Sequence, residues 1–177
     1  VWLDLTPKGF HAIVLTNGEG TVYIDPYSFG GGDIDHYISY YKKDFTPIAG
    51  KEMVCGVAGN LVNTENFNKS SNSAIQFGSC ELRTYRLAVA ATGEYTQFHG
   101  GTVADGLAAQ VTAMNRVNAV YERDIAIHMN IVANNDLIIY TNGNSDPYSN
   151  GNGGAMLSQN QNKLDAVIGT ANYDIGH

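Results

Sequence analysis

The sequence predicts a mixed α/β (α+β) fold, in which a β-rich segment precedes a strand–helix–strand–strand–helix–strand unit. Three observations lead there. Residues 1 to about 45 hold short apolar and aromatic runs with no helical period. From residue 82 onward, runs of strand character alternate with segments of helical spacing. A polar run at 66–73, rich in Asn and Ser, separates the two regions. Alternating strands and helices mark a sheet covered by helices, with a mixed or mostly parallel strand arrangement.

The first region opens on Val1-Trp2-Leu3-Asp4-Leu5, which reads as the middle of a strand and creates the expectation that chain precedes it. Ala12-Ile13-Val14-Leu15, the turn residues Asn17-Gly18-Glu19-Gly20 and then Thr21-Val22-Tyr23-Ile24-Asp25, closed by Pro26, form a hairpin pattern. Gly30-Gly31-Gly32 breaks the chain, and His36 to Tyr41 reads as a further aromatic strand. Residues 46–79 carry Pro47, Gly50, Gly56, Gly59 and the polar run, a linker composition.

In the second region, Arg83 to Thr92 reads as a strand buried on both faces toward its end. Gly100-Gly101 precede a helix that starts at Thr102, with Asp105 placed for a capping box. Val103, Leu107, Val111, Met114, Val117 and Tyr121 recur at three- and four-residue steps and share a face. Ile125, Ile127, Met129 and Ile131 alternate with polar or smaller residues, the period of a strand with one apolar face. After a turn at Asn134-Asn135, Leu137 to Tyr140 reads as a second strand. A Gly/Asn-rich loop spans 141–154; Met156 to Ile168 is helical in spacing and ends at Gly169; Tyr173-Asp174-Ile175 begins another extended segment.

The composition is globular, with 44% hydrophobic and 15% charged residues among 177. A net charge of -7 and the absence of a basic run argue against a nucleic-acid surface. No apolar stretch reaches the ~18 residues of a membrane span. Two cysteines, Cys55 and Cys80, are too few for a disulfide scaffold. Richness in Gly, Asn, Ser and Tyr with few Lys suits an extracellular protein.

The ordered set from residue 82 resembles the upper half of a reprolysin-like (metzincin) zinc metallopeptidase of bacterial type. Tyr85 to Tyr95 is similar to the first catalytic strand, Ile125 to Val132 with Leu137 to Tyr140 to the next strand pair, and Leu157 to Asp165 with Tyr173-Asp174-Ile175-Gly176-His177 to the second helix and the strand after it. Upstream, Lys51-Glu52-Met53-Val54-Cys55-Gly56-Val57 resembles the cysteine switch of the family's pro-segments, with Val54 inserted between Met and Cys and no Pro. The resemblance implies that residues 1–78 end a pro-segment, with a linker near 63–78, and that residues 79–177 begin a catalytic domain. It implies a secreted zymogen whose Cys55 thiolate is a candidate zinc ligand, filling the position that a catalytic Zn²⁺ otherwise leaves open. The alternative for Cys55 is a small buried thiol. Cys80 is a candidate disulfide partner, for Cys55 or for a cysteine outside this chain.

The family's HExxHxxGxxH motif, which supplies zinc ligands and a general base, does not occur in the sequence. Tyr173-Asp174-Ile175-Gly176-His177 imitates part of it, but the resemblance places this segment before the true motif. His11, His36, His99 and His128 have no partner at ligand spacing and read as structural histidines. For Ca²⁺, the resemblance makes Asp174 a candidate ligand. Arg86 stands where the family has a Glu, and a cation there opposes a divalent ion. Asn142, Asn144 and Asp146 alternate oxygen donors but lack the Gly and distal Glu of an EF-hand loop and read as a polar turn.

The expected function is therefore part of a secreted zinc-dependent endopeptidase precursor, which hydrolyses peptide bonds with a zinc-activated water. The chain itself is expected to be inactive and to associate with the remaining half of the catalytic domain, the whole acting on protein or peptide substrates. The competing reading is a non-catalytic extracellular binding module or a metal-free pseudo-peptidase.

Overall fold

The computed structural model describes residues 1–28, 32, 33, 35–46 and 81–177. Cys55, Cys80, the switch-like segment, the linker and the first two glycines of Gly30-Gly31-Gly32 lie outside the described residues.

The N-terminal part is an antiparallel meander of β1 (Trp2–Thr6), β2 (Gly9–Thr16), β3 (Gly20–Pro26) and β4 (Tyr37–Tyr41), in spatial order β1-β2-β3-β4. The β2–β3 register pairs Thr16 with Gly20 and Ala12 with Ile24, so the expected hairpin forms. Its turn needs backbone at positive φ, which glycine supplies at Gly18 (φ 91°). One face of this sheet lies against a helix described below. The other carries exposed Leu3 and Leu5.

The second part is a three-stranded parallel sheet in the order β6-β5-β7: β5 (Arg83–Ala88), β6 (Ile127–Ile131) and β7 (Ile175–Gly176). Parallel neighbours need long crossovers. Those of this sheet contain α1 (Gly93–Phe98) and α2 (Val103–Ile125), then α3 (Gly153–Val167). Alternation along β5 sends Leu87 and Val89 to one side, where they pack with Met129, Met114 and Val117. Ala88 goes to the other side, against Ile138, Leu164 and Ile168. The sheet is thus covered on both faces, which explains why β5 reads as a continuous apolar run toward its end.

Helix α2 begins with a complete capping box. The Thr102 hydroxyl accepts the Asp105 N–H at 3.1 Å, and the Asp105 carboxylate accepts the Thr102 N–H at 3.1 Å. Buried amides of α2 and of the segment after β6 substitute for strand neighbours. Asn118 donates to the Met129 carbonyl and accepts the Met129 N–H, both at 2.9 Å. Asn135 makes the same paired contact to Val89, at 2.7 and 2.9 Å, and donates to Gln110 at 2.9 Å. The buried Gln110, Asn118 and Asn135 amides are therefore partnered by backbone or by one another, as burial requires.

Two sequence expectations are corrected. Leu137 to Tyr140 is not a strand: Asn135–Ile138 is a 3₁₀ helix, followed by a single parallel bridge between Ile139 and Ala91. The Asn135 side chain already occupies the Val89 backbone groups that an adjacent strand would use. Ile125 belongs to α2 rather than β6, because Ala126 takes a left-handed conformation (φ 54°, ψ 44°) that ends the helix and starts the strand within one residue. Helix α1, unanticipated, is capped by Thr92, whose hydroxyl accepts the Tyr95 N–H at 3.3 Å.

Candidate functional site

In open α/β sheets, ligands bind beyond the carboxyl ends of the strands. At that end of β5 and β7 a cleft of about 280 Å³ is lined by Ala90, Thr92, Tyr148, Met156, Gly176 and His177, among others. β7 continues in hydrogen bonding to the last residue: the His177 N–H donates to the Ala88 carbonyl at 2.9 Å, and the Ala90 N–H to the His177 carbonyl at 2.7 Å. The Tyr148 hydroxyl donates to Asn160 Oδ1 at 3.1 Å. Burial, reinforced by Tyr140 and Asp146, pushes this phenol up to about 12, so it stays a neutral donor. The lining holds one imidazole and no carboxylate or thiol. Its lining residues hold no nucleophile–base pair.

The loop that walls the cleft is fixed to α1. Asp146 accepts the Gly93 N–H at 2.7 Å and the Tyr148 N–H at 3.0 Å, and Asn142 Oδ1 accepts the Asn144 N–H at 3.0 Å. The Asn142/Asn144/Asp146 cluster is accordingly a polar turn whose oxygens serve the backbone.

Asp174 lies just before β7, opposite Arg86 on β5. Arg86 Nη2 donates to Asp174 Oδ1 at 2.7 Å, Nε donates to Oδ2 at 3.1 Å and the Arg86 backbone N–H donates to Oδ2 at 2.8 Å. A third guanidinium nitrogen, Nη1, reaches the Ala171 carbonyl at 2.7 Å. The guanidinium holds the Asp174 carboxyl down to about 2. These residues do not fit calcium. The carboxylate and carbonyl that would coordinate the ion are engaged by a fixed cation, and a divalent ion beside a guanidinium is repelled.

No zinc centre forms among the described residues either: they contain no group of three or more His, Cys, Asp or Glu able to hold a metal. His36 bonds Asp33 at 2.9 Å, and the His99 ring lies tilted by 53° against Tyr95 with ring centroids 4.5 Å apart. His11 lies 3.4 Å from the Thr112 hydroxyl. His128 bonds Glu122 at 2.6 Å and Asn130 at 2.9 Å. Each of these histidines thus has a structural neighbour. No helix of the described chain is long and apolar enough to cross a membrane.

Sequence reading missed the polar contacts of α2 toward the N-terminal sheet. Trp2 Nε1 donates to Glu122 at 3.0 Å, and Asp4 accepts from Thr112 at 2.8 Å and from Asn115 at 3.0 Å. Lys8 pairs with Asp105 at 2.6 Å, and Arg116 pairs with Asp25. One signal was present: Asp4 is a lone carboxylate in an apolar strand, and such a group needs a partner when buried.

The family model described as metallo-peptidase family M12B, reprolysin-like, matches residues 81–177. No curated protein and no solved structure matches the chain significantly.

Proposed function

Because this chain belongs to the reprolysin-like metallo-peptidase family M12B, we propose that it is part of a secreted zinc-dependent endopeptidase precursor. In this reading, residues 1–78 are the end of an inhibitory pro-segment and residues 79–177 the first part of the catalytic domain. The observation that carries it is the family match across the whole second region. The parallel sheet supports it too, because β7 lies at the sheet edge, where a further strand of a catalytic domain would add. The zinc ligands and general base belong to chain outside these 177 residues, in which HExxHxxGxxH does not occur. This chain alone is inactive, and its partners are the rest of the catalytic domain and protein or peptide substrates.

Cys55 is the proposed lock, a thiolate ligand to zinc in the zymogen, with Cys80 a candidate for a disulfide. A soft thiolate suits a zinc position otherwise left open. In the full-length zymogen, Cys55→Ala should raise basal cleavage of a fluorogenic peptide and hasten self-processing; an equally latent enzyme would sink the switch.

The second reading is a metal-free pseudo-peptidase or extracellular binding module. Chelator-sensitive peptide cleavage by the activated full-length protein supports the enzyme. A purified, processed protein with no such cleavage supports the second reading.

A further inference from the structure

We infer that the outward face of α2 is a docking surface for the N-terminal sheet, residues 1–46, held by a polar seam that requires neither zinc nor Cys55 and that survives a cut in the connecting chain. Its role as a second anchor rests on the pro-segment reading; the docking itself does not.

Three observations carry it. First, the contacts between the sheet and α2 form a seam of charges and hydrogen bonds along the helix. Lys8–Asp105 lies at its N-terminal end, at 2.6 Å. Asp4 with Thr112 and Asn115, and Asp25 with Arg116, lie in its middle. Trp2 to Glu122 lies near its C-terminal end, at 3.0 Å. Glu122 also takes His128 on β6 at 2.6 Å, so the far side of the seam is braced by the parallel sheet.

Second, among the described residues the apolar core clusters draw only on residues between Tyr85 and Ile175, and none from the N-terminal sheet enters them. The second region therefore keeps its core when the sheet leaves. Among the described residues, the sheet contributes only Ala12 and Ile13 to the buried apolar set, and no α-helix within 1–46 covers it. A lone sheet with so little core depends on the surface it docks to.

Third, the join is not close-packed. A cavity of about 610 Å³ lies between them, bounded by Ala108, Ala109 and Ala113 of α2 and by Tyr27 and Ile38 of the sheet. Arg116 Nε, at its edge, is buried without a hydrogen-bond partner among the described residues. Permanent interfaces resemble a domain core in packing, whereas polar, incompletely filled joins are those across which parts move. Ala108, Ala109 and Ala113 leave volume open between the longer Asp105, Thr112 and Arg116 side chains of α2, whose polar contacts carry the attachment.

The test uses the 177-residue chain with a sequence-specific protease site placed within 66–73. After cutting, gel filtration with intact-mass detection at low salt should find the two pieces together. Arg116→Glu should weaken retention of the N-terminal piece by roughly tenfold or more, because it sets like charges against each other where a pair stood. Adding Asp25→Arg to that variant should restore it. Lys8→Glu is an independent probe of the other end, and hydrogen exchange at β5 and β6 verifies that each variant's second region is folded. Immediate separation of the wild-type pieces, or retention indifferent to both charge reversals, overturns the inference. Cys55→Ala should leave retention unchanged; release by that variant would also overturn it. Retention in the cut chain together with unchanged latency of full-length Cys55→Ala sinks the switch and leaves the docking surface standing. Loss of retention with a functioning switch does the reverse.

Discussion

Arg86 and Asp174 show how a single residue changes the chemistry of a position. A carboxylate facing two strands invites a divalent ion; a guanidinium facing it supplies a tethered cation instead, with planar donors that match both oxygens. The pair joins β5 to the start of β7, and its linkage to pH has a definite sign. Arg86 lowers the Asp174 carboxyl from 3.8 to about 2, so the stabilisation is complete above the ordinary value and is lost as pH falls through about 2. Arg86→Met should lower Tm by a few degrees at pH 7, with the difference closing as the pH is brought from 3.8 toward 2. A difference independent of pH would mean that Arg86 acts through its packing alone. Calcium or a chelator should leave the wild-type Tm in place. The position of Arg86 was legible in the sequence, but its four donor contacts were not: they depend on β5 and the turn before β7 meeting across more than eighty residues.

At the scale of elements, what could be read was what is local. The capping box of α2 follows from Thr102 and Asp105 three residues apart, and the end of α3 follows from Gly169, whose φ of 87° suits glycine. Leu137 to Tyr140 was misread because a short apolar run has no period that separates a strand from a buried turn. The competitor was a side chain: Asn135 pairs with Val89 in place of a neighbouring strand. Helix α1 escaped notice because six residues offer too few turns for a pattern. It is held by tertiary contact, through a close approach at Gly93. A Cβ there would lie 2.0 Å from the Gly143 nitrogen, in backbone rather than a flexible side chain. Gly93→Ala should therefore cost about 1–3 kcal/mol in urea unfolding and expose the 141–152 loop to proteolysis. Gly153→Ala, with nothing within 4 Å of its new methyl, should be neutral or slightly stabilising. Equal effects of the two would refute the close approach as the cause.

The whole molecule divides its stability unevenly. Residues 81–177 hold a sheet covered by helices on both faces with two apolar clusters; residues 1–46 hold a single-layer sheet attached by polar contacts beside a cavity. Local opening follows apolar burial. Native-state hydrogen exchange should therefore show the β2 and β3 amides opening at lower free energy than those of β5 and β6. Equal protection would indicate one cooperative unit. The sequence by itself determined the class of fold, most of the strands and helices, and the reprolysin-like character, because local spacing, caps and turns are written in neighbouring residues. Only the tertiary structure decided that Arg86 answers Asp174, that buried amides replace strand neighbours, and that α2 carries the N-terminal sheet along a polar face. Those outcomes depend on groups far apart in the chain, each of which must find a partner once water is gone.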